Sequence, residues 1–498
     1  MTERVNNAEK IRAQLGAGFS PYYHDLDLLL KLRHAGLQGS VIYDIGASNT
    51  IWSVMAQAVF PAARLEMFEP LADISDRYLN GKLTHPTVRA FLNTADYQIH
   101  PVALGSKNGT CRFHRMEDEA ASTSLWGKKT ARNAEVIPVP IHRLDDLIRK
   151  KNLRPPEIMK LDTQGSELDI LLGARKALAS VRAVLIECWL TKGYGNHTPL
   201  FFQMASFLAR EGFVLADLGA EYRSPQHVLH TRDALFLKPG SSTSSGMKRM
   251  SGYEPTPARD AFSVMKTQGL ELRQIIVFAQ AEQPWKAMAA RDFPQARWNP
   301  LPISGSPASL SQKPEDGPMG FIFAAASDSL EIPLSALLLL NSRTAVVVRC
   351  PMMPKAEVSN STYLRVARLL AAHDFHFFDF VECMHDPETG FLTFLDIIFL
   401  PRINQKSPLR YSKVRHLYGV RWTMDLLLRA ALSRLRSWRM SFASRASVHL
   451  TSLIIMFSIC TTLLSDASGS RWVSLAGTSE PARHACCWPG SSIFSGGI

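Results

Sequence analysis

Between residues 35 and 240, short apolar runs alternate with segments whose apolar residues recur at helical spacing. This alternation is typical of a parallel sheet covered by helices. Residues 50–60, 166–178 and 199–212 read as the helices. The runs that we expect to be strands are residues 40–46, 64–70, 99–105, 135–141, 157–163, 182–189, 213–219 and 233–239. The pattern predicts an α/β domain over residues 35–240, preceded by a helical lead-in over residues 1–34.

A similar pattern returns after a Gly/Ser-rich stretch, which we interpret as a linker over residues 241–261. Trp52 and its neighbours recur 233 residues later, around Trp285. Further segments recur in the same order, with residues 183–188, 207–213 and 233–237 matched by residues 345–350, 369–375 and 396–400. We therefore predict that residues 262–404 are a diverged, shortened second copy of the first domain.

The basic charge belongs to the end of the chain. The net charge is +12, but residues 401–498 alone carry 13 Lys and Arg against 3 Asp and Glu. Binding of nucleic acid would need clustered positive charge on the folded body, so we expect no nucleic-acid partner. The composition, 46% hydrophobic and 20% charged, excludes a wholly disordered chain. We expect residues 405–498 to be a poorly ordered basic tail.

Localisation follows from the first residues and the cysteines. The start of the chain is polar and lacks the apolar stretch of a secretory signal. The 7 cysteines show no spacing typical of zinc sites, so we expect reduced thiols, a cytoplasmic protein and no metal site. Residues 448–464 are mostly apolar and follow several arginines, which leaves membrane anchoring through this segment as the alternative.

The densest chemical signal follows the first predicted strand. This strand ends in Asp44-Ile45-Gly46, and Glu69 stands at the end of the next strand. In nucleotide-type folds, a glycine turn lets a ligand approach the backbone, and the later carboxylate accepts hydrogen bonds from ribose hydroxyls. Residues 47–51 contain no glycine, so the phosphate-binding fingerprint of nicotinamide oxidoreductases is missing. S-adenosylmethionine carries no phosphate, and its site needs only the turn and acidic anchors.

A second signal lies in residues 158–174, where a strand ends in Asp162 and a helix begins near Ser166. This arrangement places Lys160, Asp162 and Gln164 at the carboxyl edge of a central strand, where α/β sheets bind ligands. The alternative interpretation is that Asp162 and Ser166 only cap the helix.

Together these segments resemble a known family. The matching segments are DIGAS (44–48), FEP (68–70), VALGSKNG (102–109), STSL (122–125), VPIHRLDDL (139–147), KLDTQGSELDILLGA (160–174) and VLIEC (184–188). Residues 35–240 thus resemble the FkbM-type class I S-adenosylmethionine-dependent methyltransferases. The resemblance implies a Rossmann-like seven-stranded sheet with a reversed terminal hairpin, S-adenosylmethionine as cofactor, and methyl transfer to an oxygen atom.

The resemblance also implies roles for individual residues. The cofactor would be held by Asp44, Gly46, Ala47, Ser48, Glu69 and Gln164, and Glu167 would lie with Asp162 beside the methyl donor and acceptor. One departure is Thr50, which stands where the family usually has a second glycine. A β-carbon there can obstruct a backbone that requires positive φ, so we expect weaker cofactor binding or a reshaped loop.

Methylation of an alcohol requires positioning of the hydroxyl and removal of its proton. We expect Asp162 to be the base, with Glu187 as the alternate because it ends the adjacent strand. Either carboxylate could instead bind a metal that acidifies the hydroxyl. The sequence thus predicts an O-methyltransferase whose partner is a small-molecule or carbohydrate acceptor, namely a sugar, glycolipid or secondary metabolite. The alternative is a non-catalytic binding or dimerisation module.

The second copy has lost the site residues. At the 233-residue offset, the counterparts of Asp44 and Gly46 are Val277 and Ala279. We therefore expect no second cofactor site. We expect the copy to pack against the first domain as a partner subunit would, covering either a sheet edge or part of the acceptor cleft. The sequence leaves the oligomeric state open.

Overall fold

The computed structural model describes residues 2–16, 19, 22–72, 88, 90, 93–116, 134–225, 228–239, 261–267, 270–279, 285–301, 319–324, 340, 344–352, 362–386 and 390–401. These residues all belong to one compact unit, Met1–Ser407. The STSL segment, nearly all of the Gly/Ser-rich linker, and the basic tail with its apolar segment 448–464 lie outside the described residues. Within the described part, no helix is long and apolar enough to cross a membrane.

The first half of the chain forms two sheets. The strands are β1 (Val41–Ile45), β2 (Arg64–Phe68), β3 (Tyr97–His100), β4 (Ala103–Leu104), β5 (Gly109–Met116), β6 (Ala134–His142), β7 (Ile158–Leu161), β8 (Ala183–Trp189), β9 (Val214–Arg223) and β10 (Leu229–Leu237). The larger sheet has the order β3-β2-β1-β7-β8-β10-β9, with β10 antiparallel to both neighbours. The predicted α/β fold, with seven strands and a reversed terminal hairpin, is confirmed.

Helices cover both faces of this sheet. They are α1 (Thr2–Leu15), α2 (Tyr23–His34), α3 (Ile51–Val59), α4 (Leu144–Lys151), α5 (Glu167–Gly173) and α6 (Phe201–Arg210). The central strand β1 is buried at every position, as expected for a parallel strand with both faces covered. The helix predicted over residues 166–178 ends early, at Gly173, and a short 3-10 turn follows at Ala177–Ala179.

Residues 135–141 were predicted to join the parallel sheet, and this is wrong. They belong to β6, which pairs with β4 and β5 in a separate three-stranded sheet. Val139 and Ile141 are buried, whereas Pro138 and Pro140, which alternate with them, are exposed. Proline donates no hydrogen bond, and such alternation is typical of a strand with one solvated face.

A second α/β sheet follows. Its strands are β11 (Gln274–Ala279), β12 (Arg297–Leu301), β13 (Met319–Ala324), β14 (Thr344–Pro351), β15 (Phe375–His385) and β16 (Leu392–Pro401), and its helices are α7 (Ala261–Thr267), α8 (Trp285–Asp292) and α9 (Thr362–Ala372). The order β12-β11-β13-β14-β16-β15 matches that of the first sheet without its edge strand β3. This match agrees in topology with a shortened copy, and the duplication itself stays a prediction.

Candidate functional site

The carboxyl ends of β1, β2 and β7 meet at one edge of the first sheet, where a cavity of about 200 Å³ opens. Tyr22 and Asp25, at the start of α2, form part of its wall. Of the predicted site residues, those that line the cavity are Gly46, Ala47, Ser48, Glu69, Asp162 and Gln164. The topology therefore brings together most of the residues that the sequence singled out.

The turn after β1 requires glycine for two reasons. Gly46 has a φ of +81°, a left-handed conformation that favours glycine. A β-carbon added to Gly46 would also lie 2.0 Å from the backbone oxygen of Asp162. The Gly46 N–H donates to the carbonyl of Phe68 at 2.9 Å, which ties the turn to the end of β2.

Glu69 joins the two loops that border the cavity. Its carboxylate accepts the backbone N–H of Ser48 at 2.9 Å and that of Leu71 at 3.0 Å. Burial raises the pKa of Glu69, and the nearby charge of Asp44 acts in the same direction. Each carboxylate oxygen has two acceptor sites, so Glu69 retains capacity for further donors from the cavity.

Asp44 lies behind the cavity wall and does not line it. It is fully buried, accepts a hydrogen bond from the Ser53 hydroxyl at 2.7 Å, and lies 3.5 Å from the Lys160 ammonium. Lys160 does line the cavity, 3.4 Å from Asp162 and 5.8 Å from the ring centre of Trp52. Burial disfavours the ammonium charge, but the carboxylates of Asp44 and Asp162 outweigh it and raise the pKa of Lys160. Asp44 thus holds Lys160 in place.

Gln164 links two carboxylates at the other end of the cavity. Its amide nitrogen donates to Asp162 and to Glu187, each at 2.9 Å. The Tyr194 hydroxyl donates to its amide oxygen at 2.9 Å, which fixes the orientation of the amide. Gln164 has a φ of +59°, an uncommon conformation for a residue other than glycine that tends to occur at functional sites.

Further carboxyl groups surround this position. Asp233 lies opposite Glu187 in the pairing of β10 with β8, and it is hydrogen-bonded to Asp25. Burial, together with the neighbouring carboxylates, raises the pKa of Glu187 and of Asp233 well above the usual range. Burial also raises the pKa of Asp25 to about 6. A hydrogen bond between two carboxyl groups requires a proton on one of them, so Asp25 and Asp233 share a proton.

Two further expectations concern residues next to the cavity. Glu167 does not line the cavity; it is fully buried and accepts the backbone N–H groups of Thr163 and Gly165, at 2.9 and 3.1 Å. Thr50 does adopt a positive φ, +61°, but it is buried and is not among the residues that line the cavity. The cost of Thr50 is therefore backbone strain and not obstruction of the cavity.

The described residues of the second sheet do not repeat the side chains of this site. Strand register aligns Asp44, Lys160, Asp162 and Glu187 with Val277, Ile322, Ala324 and Arg349. Arg349 pairs with Asp396 at 2.7 Å, at the position where the first sheet has two facing carboxyls. In the described residues, no group of three or more His, Cys, Asp or Glu is arranged to hold a metal ion.

The strand order of the first sheet is that of a class I methyltransferase fold. Residues 44–215 match the family model of the methyltransferase FkbM domain. A curated relative, the AMB antimetabolite synthetase AmbE of Pseudomonas aeruginosa, is 26% identical over 204 residues. That match covers 35% of this chain and only 9% of the relative's length.

Two solved structures are similar to part of the chain. The methyltransferase FkbM from Methylobacillus flagellatus has 18% sequence identity and a TM-score of 0.25, covering 40% of this chain and 44% of its own. The O-methyltransferase TomG from Streptomyces achromogenes, involved in tomaymycin synthesis and solved in complex with SAM, has 15% identity and a TM-score of 0.27. That alignment covers 47% of this chain and 90% of TomG.

Proposed function

We propose that the chain is an S-adenosylmethionine-dependent O-methyltransferase that acts on a hydroxyl of a sugar, glycolipid or secondary metabolite. The observation that carries the proposal is the Gly46 turn facing Glu69 across one cavity, inside the segment that matches the FkbM domain. The hydroxyl acceptor is inferred from the family resemblance together with the Asp162 carboxyl group described below.

The residues fit the cofactor. The Gly46 turn brings backbone to the cavity without a β-carbon, and Glu69 offers carboxylate oxygens to ribose hydroxyls. Trp52 lines the same cavity, and its buried indole N–H has no hydrogen-bond acceptor among the described residues. A buried donor of this kind is expected to be satisfied, and a ligand can supply its acceptor. Bound there, S-adenosylmethionine would supply an electrophilic methyl group.

Asp162 is the residue best placed to take the acceptor's proton. Its side chain is 38% exposed at the cavity, 3.4 Å from the Lys160 ammonium. With the cofactor bound to supply the methyl group, Asp162 would accept the hydroxyl proton as the acceptor oxygen gains the methyl. The products would be the methylated acceptor, the cofactor as a neutral thioether, and protonated Asp162.

Glu187 is less suited to be the base. It does not line the cavity, and burial raises its pKa well above the usual range, which favours its protonated form. A carboxyl that holds its proton is not available as a base. Glu187 instead receives a hydrogen bond from Gln164, whose second N–H goes to Asp162. This arrangement holds the Asp162 carboxylate in one orientation, and positioning of this kind contributes much of the rate of a transfer reaction.

The test is a transfer assay on the full chain. Purified protein is incubated with methyl-labelled S-adenosylmethionine and panels of monosaccharides, glycolipids and polyketide alcohols, and labelled products are identified by mass spectrometry. We expect a labelled methyl ether, with Asp162→Asn slowing turnover about a hundredfold or more and binding the cofactor normally. Label found only on nitrogen would contradict O-methylation. Cofactor binding without turnover on any panel would favour the non-catalytic module.

A further inference from the structure

The terminal hairpins of the two sheets share one register. The corresponding cross-strand pairs are Leu235–Asp217 with Ile398–Asp379, and Leu229–Arg223 with Leu392–His385. Asp217 and Asp379 therefore occupy the same position in their sheets, and so do Arg223 and His385. At these two positions, the outermost strand of each sheet presents one acidic and one basic side chain.

These four side chains pair crosswise between the sheets. His385 Nε2 lies 2.9 Å from Asp217, and Arg223 contacts Asp379 through two hydrogen bonds of 2.7 and 2.9 Å. The acidic position of each sheet thus meets the basic position of the other. Reciprocal contacts of this kind define an isologous interface, the type found at the two-fold axis of a dimer.

The adjoining helices show where the axis runs. Phe201 on α6 and Tyr363 on α9 stand 162 residues apart, and their ring centres lie 6.4 Å from each other. At the same separation along the chain, Arg368 donates to the Ser206 hydroxyl at 3.0 Å. A residue that contacts its own counterpart lies close to a two-fold axis. Buried residues of α6, of α9 and of both sheets belong to one hydrophobic core.

One link in this interface leads to the cavity. The second oxygen of Asp217 accepts a hydrogen bond from the Lys31 ammonium, and both side chains are only 1% exposed. Lys31 lies on α2, whose first turn places Asp25 in the cavity wall. At the 233-residue offset, the counterpart of Lys31 is the apolar Val264 of α7. The symmetry is therefore broken at the connection that reaches the cavity.

We propose that residues 261–401 stand in for the second subunit of a two-fold methyltransferase dimer, and that their contact through His385, Asp217 and Lys31 positions α2 as a wall of the cavity. The second sheet contributes no residue to the cavity lining that the structure describes, and it covers the edge strand β9. Only the naming of the cavity as a cofactor site rests on the proposed function.

The test uses charge reversal at the two symmetry-related pairs of the full chain. His385→Asp places a second carboxylate against Asp217 and competes with its bond to Lys31. The matched variant Arg223→Asp places a second carboxylate against Asp379. Arg223 and Asp379 form the symmetry-related pair, which lacks the Lys31 link to α2. Amide hydrogen exchange across α2 is the main readout, with thermal midpoint and S-adenosylmethionine affinity alongside.

We expect both variants to lower the thermal midpoint, because each leaves like charges facing in a buried contact. Only His385→Asp should speed exchange in α2 and weaken cofactor binding, each by about tenfold. His385→Arg gives Asp217 an arginine partner, as Asp379 has in Arg223. We expect this variant to keep the protection of α2 against amide exchange that the unaltered chain shows. His385→Ala is the milder variant if His385→Asp does not fold, and we expect a smaller change in the same direction.

Unchanged exchange in α2 for the folded His385→Asp or His385→Ala variant would overturn the positioning role. Loss of α2 protection in His385→Arg would overturn the symmetry equivalence of His385 and Arg223. Exchange needs no cofactor, so an unaltered chain that fails to bind S-adenosylmethionine would contradict the proposed function while the α2 readout still decides this inference.

Discussion

The backbone oxygen of Asp162 lies 2.0 Å from the point where a β-carbon on Gly46 would stand. The backbone of the turn after β1 therefore packs closely against the backbone of the loop after β7. This contact brings the proposed cofactor turn and the proposed base to the same cavity.

We expect Gly46→Ala to destabilise the fold by about 2–4 kcal/mol and to abolish cofactor binding, because either the turn or the Asp162 loop must move. Gly36→Ala is the matched control: Gly36 also has a positive φ, +85°, but a β-carbon there would meet nothing within 4 Å. That control should cost only about 1–2 kcal/mol of backbone strain and bind normally. Chemical denaturation and calorimetry measure both effects, and equal behaviour of the two variants would refute the close contact.

Thr50→Gly should leave the affinity for S-adenosylmethionine within about twofold, because Thr50 is buried outside the cavity lining. Relief of the strain at its positive φ is offset by the greater chain entropy of glycine, so the stability should change by less than about 1 kcal/mol. Calorimetric titration of the variant decides the matter. A gain of tenfold or more would show that threonine impairs the site, as the non-catalytic alternative requires.

Tyr194→Phe should slow methyl transfer by about tenfold with little change in cofactor affinity, since it frees the Gln164 amide that orients Asp162. The matched control is Tyr43→Phe, which removes a tyrosine hydroxyl that donates to the Arg154 carbonyl at 2.8 Å, away from the cavity. Single-turnover rates with an acceptor from the transfer assay provide the measurement. Equal slowing in both variants would point to a general loss of stability.

Asp25→Asn should stabilise the protein above about pH 6. The pKa of Asp25 is raised from 3.8 to about 6, so the folded state binds this proton more tightly than the unfolded state. Its contribution to stability is present below pH 3.8 and is lost as the pH rises through 6. Two pKa units correspond to at most about 3 kcal/mol. Thermal midpoints from pH 4 to 8 test the effect, and a variant with no advantage at pH 8 would contradict it.

Local patterns in the sequence predicted much of this architecture. The buried run of β1, the Gly46 turn and Glu69 after β2 lie close together in the chain, so their spacing carried the information. Residues 135–141 misled the prediction because an apolar strand was assumed to be central, although Pro138 and Pro140 already argued against that position.

Other parts of the site could not be found in the sequence. Asp25 precedes the sheet, Asp233 lies in its reversed strand, and only the tertiary fold places their carboxyls in hydrogen-bond contact. Tyr194 likewise reaches Gln164 from a loop after β8 that has no recognisable motif. Sequence spacing reports local geometry, whereas these contacts depend on how distant elements pack.

The most direct test of the account is calorimetric titration of S-adenosylmethionine into the full chain, with two glutamate variants. We predict saturable binding of one cofactor per chain, weakened at least about tenfold by Glu69→Gln. Glu157→Gln should bind normally, because Glu157 also accepts a backbone N–H, from Ser40 at 3.1 Å, but lies outside the cavity lining. No binding to the folded chain, or equal loss in both variants, would contradict a cofactor site at the Gly46 turn.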